Sequence, residues 1–112
     1  MQNEVMGPKE FLTDFLNQLA RNKDKFAGIS FKLQYDFSGD NNGKWYVEII
    51  EGNIHDVVEG TIENPTCTFV AKYKNFYDAF TGKANPTAAF MTGKIKLKGD
   101  MGVAMKLQQW AK

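Results

Sequence analysis

Residues 79–108 read AFTGKANPTAAFMTGKIKLKGDMGVAMKLQ, and this stretch decides the fold. Thr81-Gly82 stops one helix. Asn85-Pro86 restarts another, because asparagine caps a helix well and proline fits its first turn. The restarted helix carries Ala88, Ala89, Phe90 and Met91 and stops near Gly93. From Lys94 to Lys98 lysine alternates with Ile95 and Leu97, the period of two of a strand. Gly99-Asp100 then opens a methionine-rich closing helix, with Asp100 as its cap. A Phe-rich helix, a lysine-armoured strand and a methionine-rich helix can build a greasy cavity. The segment holds no catalytic dyad or metal cluster, so it points to carrying an apolar molecule rather than transforming one.

Working upstream, Tyr73, Phe76, Tyr77, Ala79 and Phe80 continue the helical period. Before them the period is two. Ile29, Phe31, Leu33, Tyr35 and Phe37 form the inward set of a strand whose outward set is Ser30, Lys32, Gln34 and Asp36. Asn42-Gly43 is a strong hairpin signal, and Trp45, Val47 and Ile49 form the next inward set. Glu51-Gly52-Asn53 turns the chain into a third strand, Ile54–Glu59. A fourth, Cys67–Ala71, follows the Asn64-Pro65 breaker. At the start, Phe11, Leu12, Phe15, Leu16 and Leu19 recur at helical spacing, predicting an amphipathic helix from about Pro8 to Asn22. Without linker or repeat, residues 1–112 read as a single α+β domain with its helices on one face of the sheet.

The composition agrees. A chain of 112 residues, 43% hydrophobic and 24% charged, is ordinary for one globular domain. Nine Phe, four Tyr and two Trp need a tight core or a pocket to face. The net charge of +1 supplies no bulk field to attract nucleic acid. Cys67 is the sole cysteine, so no internal disulfide forms, which suits a reducing compartment. The polar start, Met1–Lys9, is unlike a signal peptide. No run approaches a membrane span, and the ending Trp110-Ala111-Lys112 is not the peroxisomal tripeptide. The expected location is cytoplasmic.

On a helical wheel the closing helix shows two apolar faces. Met101, Ala104, Met105 and the amide of Gln108 lie together, with Val103, Leu107 and Trp110 nearly opposite. One face is needed for the sheet, and the other needs a second partner: another helix, a second subunit or a lipid. Methionine favours a surface that adapts to variable shapes, although a methionine stripe is commonly core packing.

The run TGKANPTAAFMTGKIKLKGDMGVAMKLQ closely resembles the signature of the sterol carrier protein type 2 family, the non-specific lipid-transfer proteins. The initial amphipathic helix, the Gly28–Phe37 strand, its Gly-containing turn and Trp45 at the second strand agree with it. The resemblance runs from about Phe11 onward, dense after Asp78 and loose before Pro65. It implies a five-stranded sheet covered by helices around an apolar tunnel. It also implies non-catalytic binding of sterols, fatty acids, fatty acyl-CoA or phospholipids, here by a stand-alone version of the domain without a cofactor. The pocket is then expected between the sheet and the last helices, lined by Phe76, Phe80, Phe90, Met101, Met105 and Gln108, with Trp45 or Phe31 as floor. Gln108 either hydrogen-bonds a ligand hydroxyl or carboxylate, or faces solvent near the helix end.

Other chemistry is poorly supported. His55 is the lone histidine, and a strand points His55 and Asp56 to opposite faces, so they form no base–orienter pair. Cys67 alternates with Phe69 and Ala71, the pattern of a buried thiol. Glu48, Glu51, Asp56 and Glu59 read as solvated charges. Lys94, Lys96 and Lys98 share one sheet face; they either meet acidic headgroups, acyl-CoA phosphates or an anionic membrane, or protect a strand edge from pairing. The expectation is a lipid-binding or lipid-carrying protein, monomer or homodimer, with an apolar or amphipathic ligand and a transient membrane surface as partners. The alternative is a non-enzymatic interaction module, an accessory partner of a lipid enzyme, using Val103, Leu107 and Trp110 as contact surface.

Overall fold

Period-two sequence makes one sheet. The computed structural model describes residues 6–81 and 83–110, and their side chains except those of residue 86 and residues 107–110. Strand β1 (Phe31–Ser38) and β2 (Gly43–Ile50) form an antiparallel hairpin, with Leu33 opposite Val47 and Tyr35 opposite Trp45. β3 (Asn53–Ile54) and β4 (Val58–Glu59) both pair with the far side of β2. They are the expected third strand in two pieces. Ile49 faces Ile54 while Tyr46 faces Val58, so the outer strand holds one residue more than β2 between these pairs. The surplus makes a bulge at His55–Val57.

β5 (Cys67–Lys72) lies parallel to β1 on its other side, and β6 (Ile95–Gly99) runs antiparallel to β5. The order is β3-β2-β1-β5-β6, with β4 also beside β2. The chain therefore has to cross β1 between β4 and β5. Gln34 shows how. Its alternation places it outward among polar neighbours, yet it is buried. Its Nε2 lies 3.1 Å from the Gly60 carbonyl, 3.2 Å from that of Trp45 and 3.1 Å from Asp36 Oδ1. Its Oε1 accepts from the Ile62 N–H at 3.0 Å. One amide thus holds the crossing segment down on the outer face. Thr66 steers it into β5: its N–H donates to the Lys32 carbonyl, and its Oγ1 accepts from the Lys32 N–H.

The helices gather on the other face. They are α1 (Pro8–Ala20), a short 3-10 turn (Lys23–Phe26), α2 (Tyr73–Phe80), α3 (Pro86–Met91) and α4 (Met101–Trp110). Phe11, Leu12, Leu16 and Leu19 of α1 are buried against the inward set of the sheet, matching the amphipathic spacing. Ile29 departs from expectation. It precedes β1 and is exposed, because its backbone bonds the turns at Phe26 and Gly52 instead of a strand ladder.

Caps hold the last third as the sequence implies. Asn85 Oδ1 accepts from the N–H of Thr87 at 2.8 Å and of Ala88 at 3.3 Å, opening α3. Asp100 Oδ1 accepts from the Val103 N–H at 3.1 Å, opening α4. Between β6 and α4 stands Gly99, at φ +98°; a Cβ there would lie 2.3 Å from the Thr66 carbonyl oxygen. No L side chain fits that approach, so glycine lets β6 close onto the end of the crossing segment.

Candidate functional site

The inward face of the sheet is paved with rings. Tyr35 of β1 and Phe69 of β5 are register neighbours and stack at 5.2 Å with 9° between planes. Phe76 of α2 stands edge-on above both, at 5.6 and 5.8 Å. Phe80, one helical turn on, lies 4.5 Å from Phe76, the spacing that places residues four apart on one helix face. Phe11 of α1 closes the cluster at 5.8 Å from Phe76. Edge-to-face and offset contacts of this kind add to the hydrophobic gain of burying such rings.

The six expected site residues fall into two groups. Phe76 is buried in the ring cluster, and Phe80 and Phe90 are half-buried against it. Met101 and Met105 are 56% and 62% exposed on α4. Gln108 belongs to α4, and its side chain lies outside the described residues, as do those of Leu107 and Trp110. α4 turns Ala104, 4% exposed, inward, and half-buried Val103 also packs on the core. The wheel face grouping Ala104 with the two methionines is therefore divided: alanine inward, methionines outward. Val103, placed by the alternative reading on a contact surface, is engaged by the protein's own core. Trp45 is half-buried beside the ring layer, its Nε1 buried with no hydrogen-bond partner among the described residues.

Titratable groups inside this layer are held neutral. Burial pushes the Tyr35 phenol well above its ordinary range. Burial also raises Tyr73, whose hydroxyl donates to the Met6 carbonyl, with Tyr77 and Glu10 adding to the shift. The Cys67 thiol is raised by burial and then by the Asp100 charge, and its Sγ donates to the Asp100 carbonyl at 3.1 Å. A protonated thiol so placed is a weak nucleophile. His55 is exposed on the bulge. Among the described residues no three His, Cys, Asp or Glu side chains gather as a metal-holding group, and no helix is long and apolar enough to cross a membrane.

A cavity of about 560 Å³ lies elsewhere, between the outer side of α1 and the bulged β3–β4 edge. Leu16, Ile54 and Val57 form its apolar floor, and Lys9, Asn17, His55 and Asp56 are on its rim. None of Phe76, Phe80, Phe90, Met101 and Met105 lines it. Sequence reasoning missed this groove, since it depends on a bulge that alternation does not encode. It also missed Gln34; a glutamine flanked by apolar residues in an alternating strand looks the same whether solvent or a crossing segment covers it.

The sequence pattern of the SCP-2 sterol transfer family matches residues 12–112. The chain belongs to this family. Sterol carrier protein 2 of Homo sapiens is 38% identical over 85 residues, covering 75% of this chain and 15% of that protein. Hydroxysteroid dehydrogenase-like protein 2 of Xenopus tropicalis is 38% identical over 77 residues, covering 68% and 18%. The chain thus spans less than a fifth of the length of either relative. The solution structure of palmitated SCP2L2 from Aedes aegypti superposes with a TM-score of 0.63 over 95% of each chain at 18% identity, a likeness of fold. The SCP-2 domain is in general a lipid-binding module, and membership supports lipid binding or transfer as the class of activity.

Proposed function

We propose that this SCP-2 domain carries single-chain lipids, fatty acids or fatty acyl thioesters, in an apolar tunnel between the sheet and its last helices, without covalent chemistry. The family match over nearly the whole chain carries this reading; the palmitated relative of the same fold supports an acyl ligand. Phe76, Phe80 and Phe90 form the inner lining. Met101 and Met105 stand at the mouth, where exposed, flexible thioethers meet an incoming chain, and Gln108 receives its polar head. α4 yields to let the ligand pass. Among its described side chains, small Ala104 and half-buried Val103 are the ones that pack on the core.

The energetics suit a carrier. Burying an acyl chain gains about 0.8 kcal/mol per methylene, so about 14 methylenes offer on the order of 11 kcal/mol before association costs. Reversible, weakly selective binding follows, since each methylene changes affinity only about fourfold.

The test is binding of fluorescent fatty acids of increasing length, together with mass spectrometry of lipid extracted from protein purified without detergent. Affinity should rise with chain length until the tunnel is filled. Phe90→Asp should weaken it at least tenfold with circular dichroism unchanged. No binding at any length, with an empty extract, would refute the carrier.

A further inference from the structure

Sulfur is sorted by depth in this chain. Cys67 is fully buried, and Met6 is half-buried against the core. Burial first, and then the Asp100 charge, keep the Cys67 thiol protonated, and the protonated thiol is not the form that reacts readily with peroxides. Met91, Met101 and Met105 stand in solvent, Met91 at 82% exposure. The other exposed large apolar side chains among the described residues are Ile29, Ile50 and Val58, which offer an oxidant nothing. The exposed sulfur is therefore gathered on α3 and α4.

Two of these thioethers form a pair on α4. Met101 and Met105 are one helical turn apart, which puts them on one helix face. Ala104 takes the inward position and leaves both on the solvent side. Packing alone does not call for sulfur there. Leucine has comparable bulk and helix propensity, yet a peroxide does not oxidise it. A thioether is oxidised, and the change is large, because a flexible apolar group becomes a polar sulfoxide. The step is a two-electron oxygen transfer. A sulfur lone pair attacks one oxygen of a hydroperoxide, and the S–O bond forms as the O–O bond breaks. The proton of the transferred oxygen goes to the departing oxygen, which leaves as water or an alcohol. Sulfur is oxidised, the peroxide is reduced, and sulfoxide reductases return the thioether.

We propose that Met101 and Met105 form a reversible oxidation site through which hydroperoxides lower lipid capture. Resting on the carrier reading, this site stands at the tunnel mouth. A sulfoxide there holds water that an entering acyl chain has to displace, so affinity falls. The fold is kept, because the core does not depend on either exposed thioether. Met91 is the internal comparison, more exposed than either and at the end of α3 rather than on α4. It is oxidised as readily, without effect on binding.

The test treats the full chain with hydrogen peroxide, maps the products by mass spectrometry and measures fluorescent fatty-acid binding before and after. Met91, Met101 and Met105 should convert about tenfold faster than Met6 and Cys67. Affinity should fall about fivefold with circular dichroism unchanged, and return after treatment with methionine sulfoxide reductases A and B. Met91→Leu should respond to peroxide as the wild type does. In Met101→Leu/Met105→Leu the oxidised and untreated samples should bind alike. Cys67 or Met6 reacting as fast as Met101 overturns the site, and so does a fully oxidised wild type whose affinity is unchanged. A loss that persists in the double leucine variant, or that comes with collapse of the circular dichroism, overturns it in favour of damage elsewhere. If the untreated protein binds no fatty acid, the carrier reading falls and the switch with it; binding that survives oxidation sinks the switch alone.

Discussion

The two edges of the sheet solve one problem by opposite means. An edge strand exposes unpaired backbone groups and invites pairing with another chain. At the β3–β4 edge the chain inserts a residue, breaking the strand at His55–Val57 and twisting the ladder out of register. At the β6 edge the strand is unbroken through five residues, and alternate lysines guard it instead. The irregular edge opens a groove against α1, while the regular edge carries a row of exposed lysines on the outer face. Backbone irregularity and side-chain charge are therefore interchangeable protections. The choice between them leaves each edge a different surface to work with.

The comparison is broken most severely at the glycines that close each edge. Gly99 holds β6 against Thr66, where a Cβ would lie 2.3 Å from a carbonyl oxygen that the Asp100 N–H also uses. Gly52 closes β2 onto β3 at φ +79°, and there a Cβ would meet Ala27 Cα and Gly28 N at 3.2 Å. The first contact is a backbone clash that must move β5 or β6; the second asks for tenths of an ångström plus left-handed strain. Gly99→Ala should cost at least about 3 kcal/mol, and Gly52→Ala about 1–2 kcal/mol. Urea denaturation of both variants measures the difference. Equal losses would show that the β6 edge relaxes as readily as the turn.

Between the edges the crossing segment depends on Gln34. Gln34→Leu preserves bulk while leaving the Ile62 N–H and Gly60 carbonyl without their partner. A loss of about 2–3 kcal/mol is expected, the cost of stranding buried polar groups. Hydrogen exchange should localise it, with faster exchange at Ile62 and Thr66 than at Val47. Uniform acceleration would mean that the segment does not open as a unit.

Legibility followed the range of the interactions. Asn85 and Asp100 cap helices through bonds two or three residues away, and Pro86 takes the first position of α3, so sequence spacing placed them correctly. The five predicted strands exist because period two is a local property, and the family signature after Asp78 supplied the fold. What alternation could not supply was which strands pair. β5 lies parallel to β1, a contact between residues more than thirty apart, secured by a glutamine expected on the surface. The β3–β4 bulge was illegible for a related reason: a surplus residue reveals itself only against its partner. At the candidate site helical spacing gave the shared face of Phe76 and Phe80, while the Tyr35 and Phe69 rings beneath them depend on the pairing of β1 with β5. The wheel of α4 identified two apolar faces, but Ala104 was assigned to the methionine side. Its small volume suits the close approach of helix to sheet, which a wheel drawn by hydrophobicity alone does not weigh.

The smallest effect expected is alkaline, and it separates the middle of the sheet from the β6 side. Tyr35, Tyr73 and Cys67 all have folded-state values raised above their ordinary ones, mainly by burial. An unfolded chain releases these protons near the ordinary pKa of each group, about 8.5 for a thiol and about 10 for a phenol, while the folded chain retains them. Between those values and the raised ones the folded state binds more protons, so stability is complete below about pH 8 and declines as pH rises. The melting temperature should fall first in the thiol range and again in the phenol range. Cys67 faces Gly99 across β5 and β6; Cys67→Ala should abolish the first decline and leave the second, which belongs to Tyr35 and Tyr73 under α1 and α2. A first decline surviving in Cys67→Ala would assign it to another group that releases a proton in the same range, and not to the thiol.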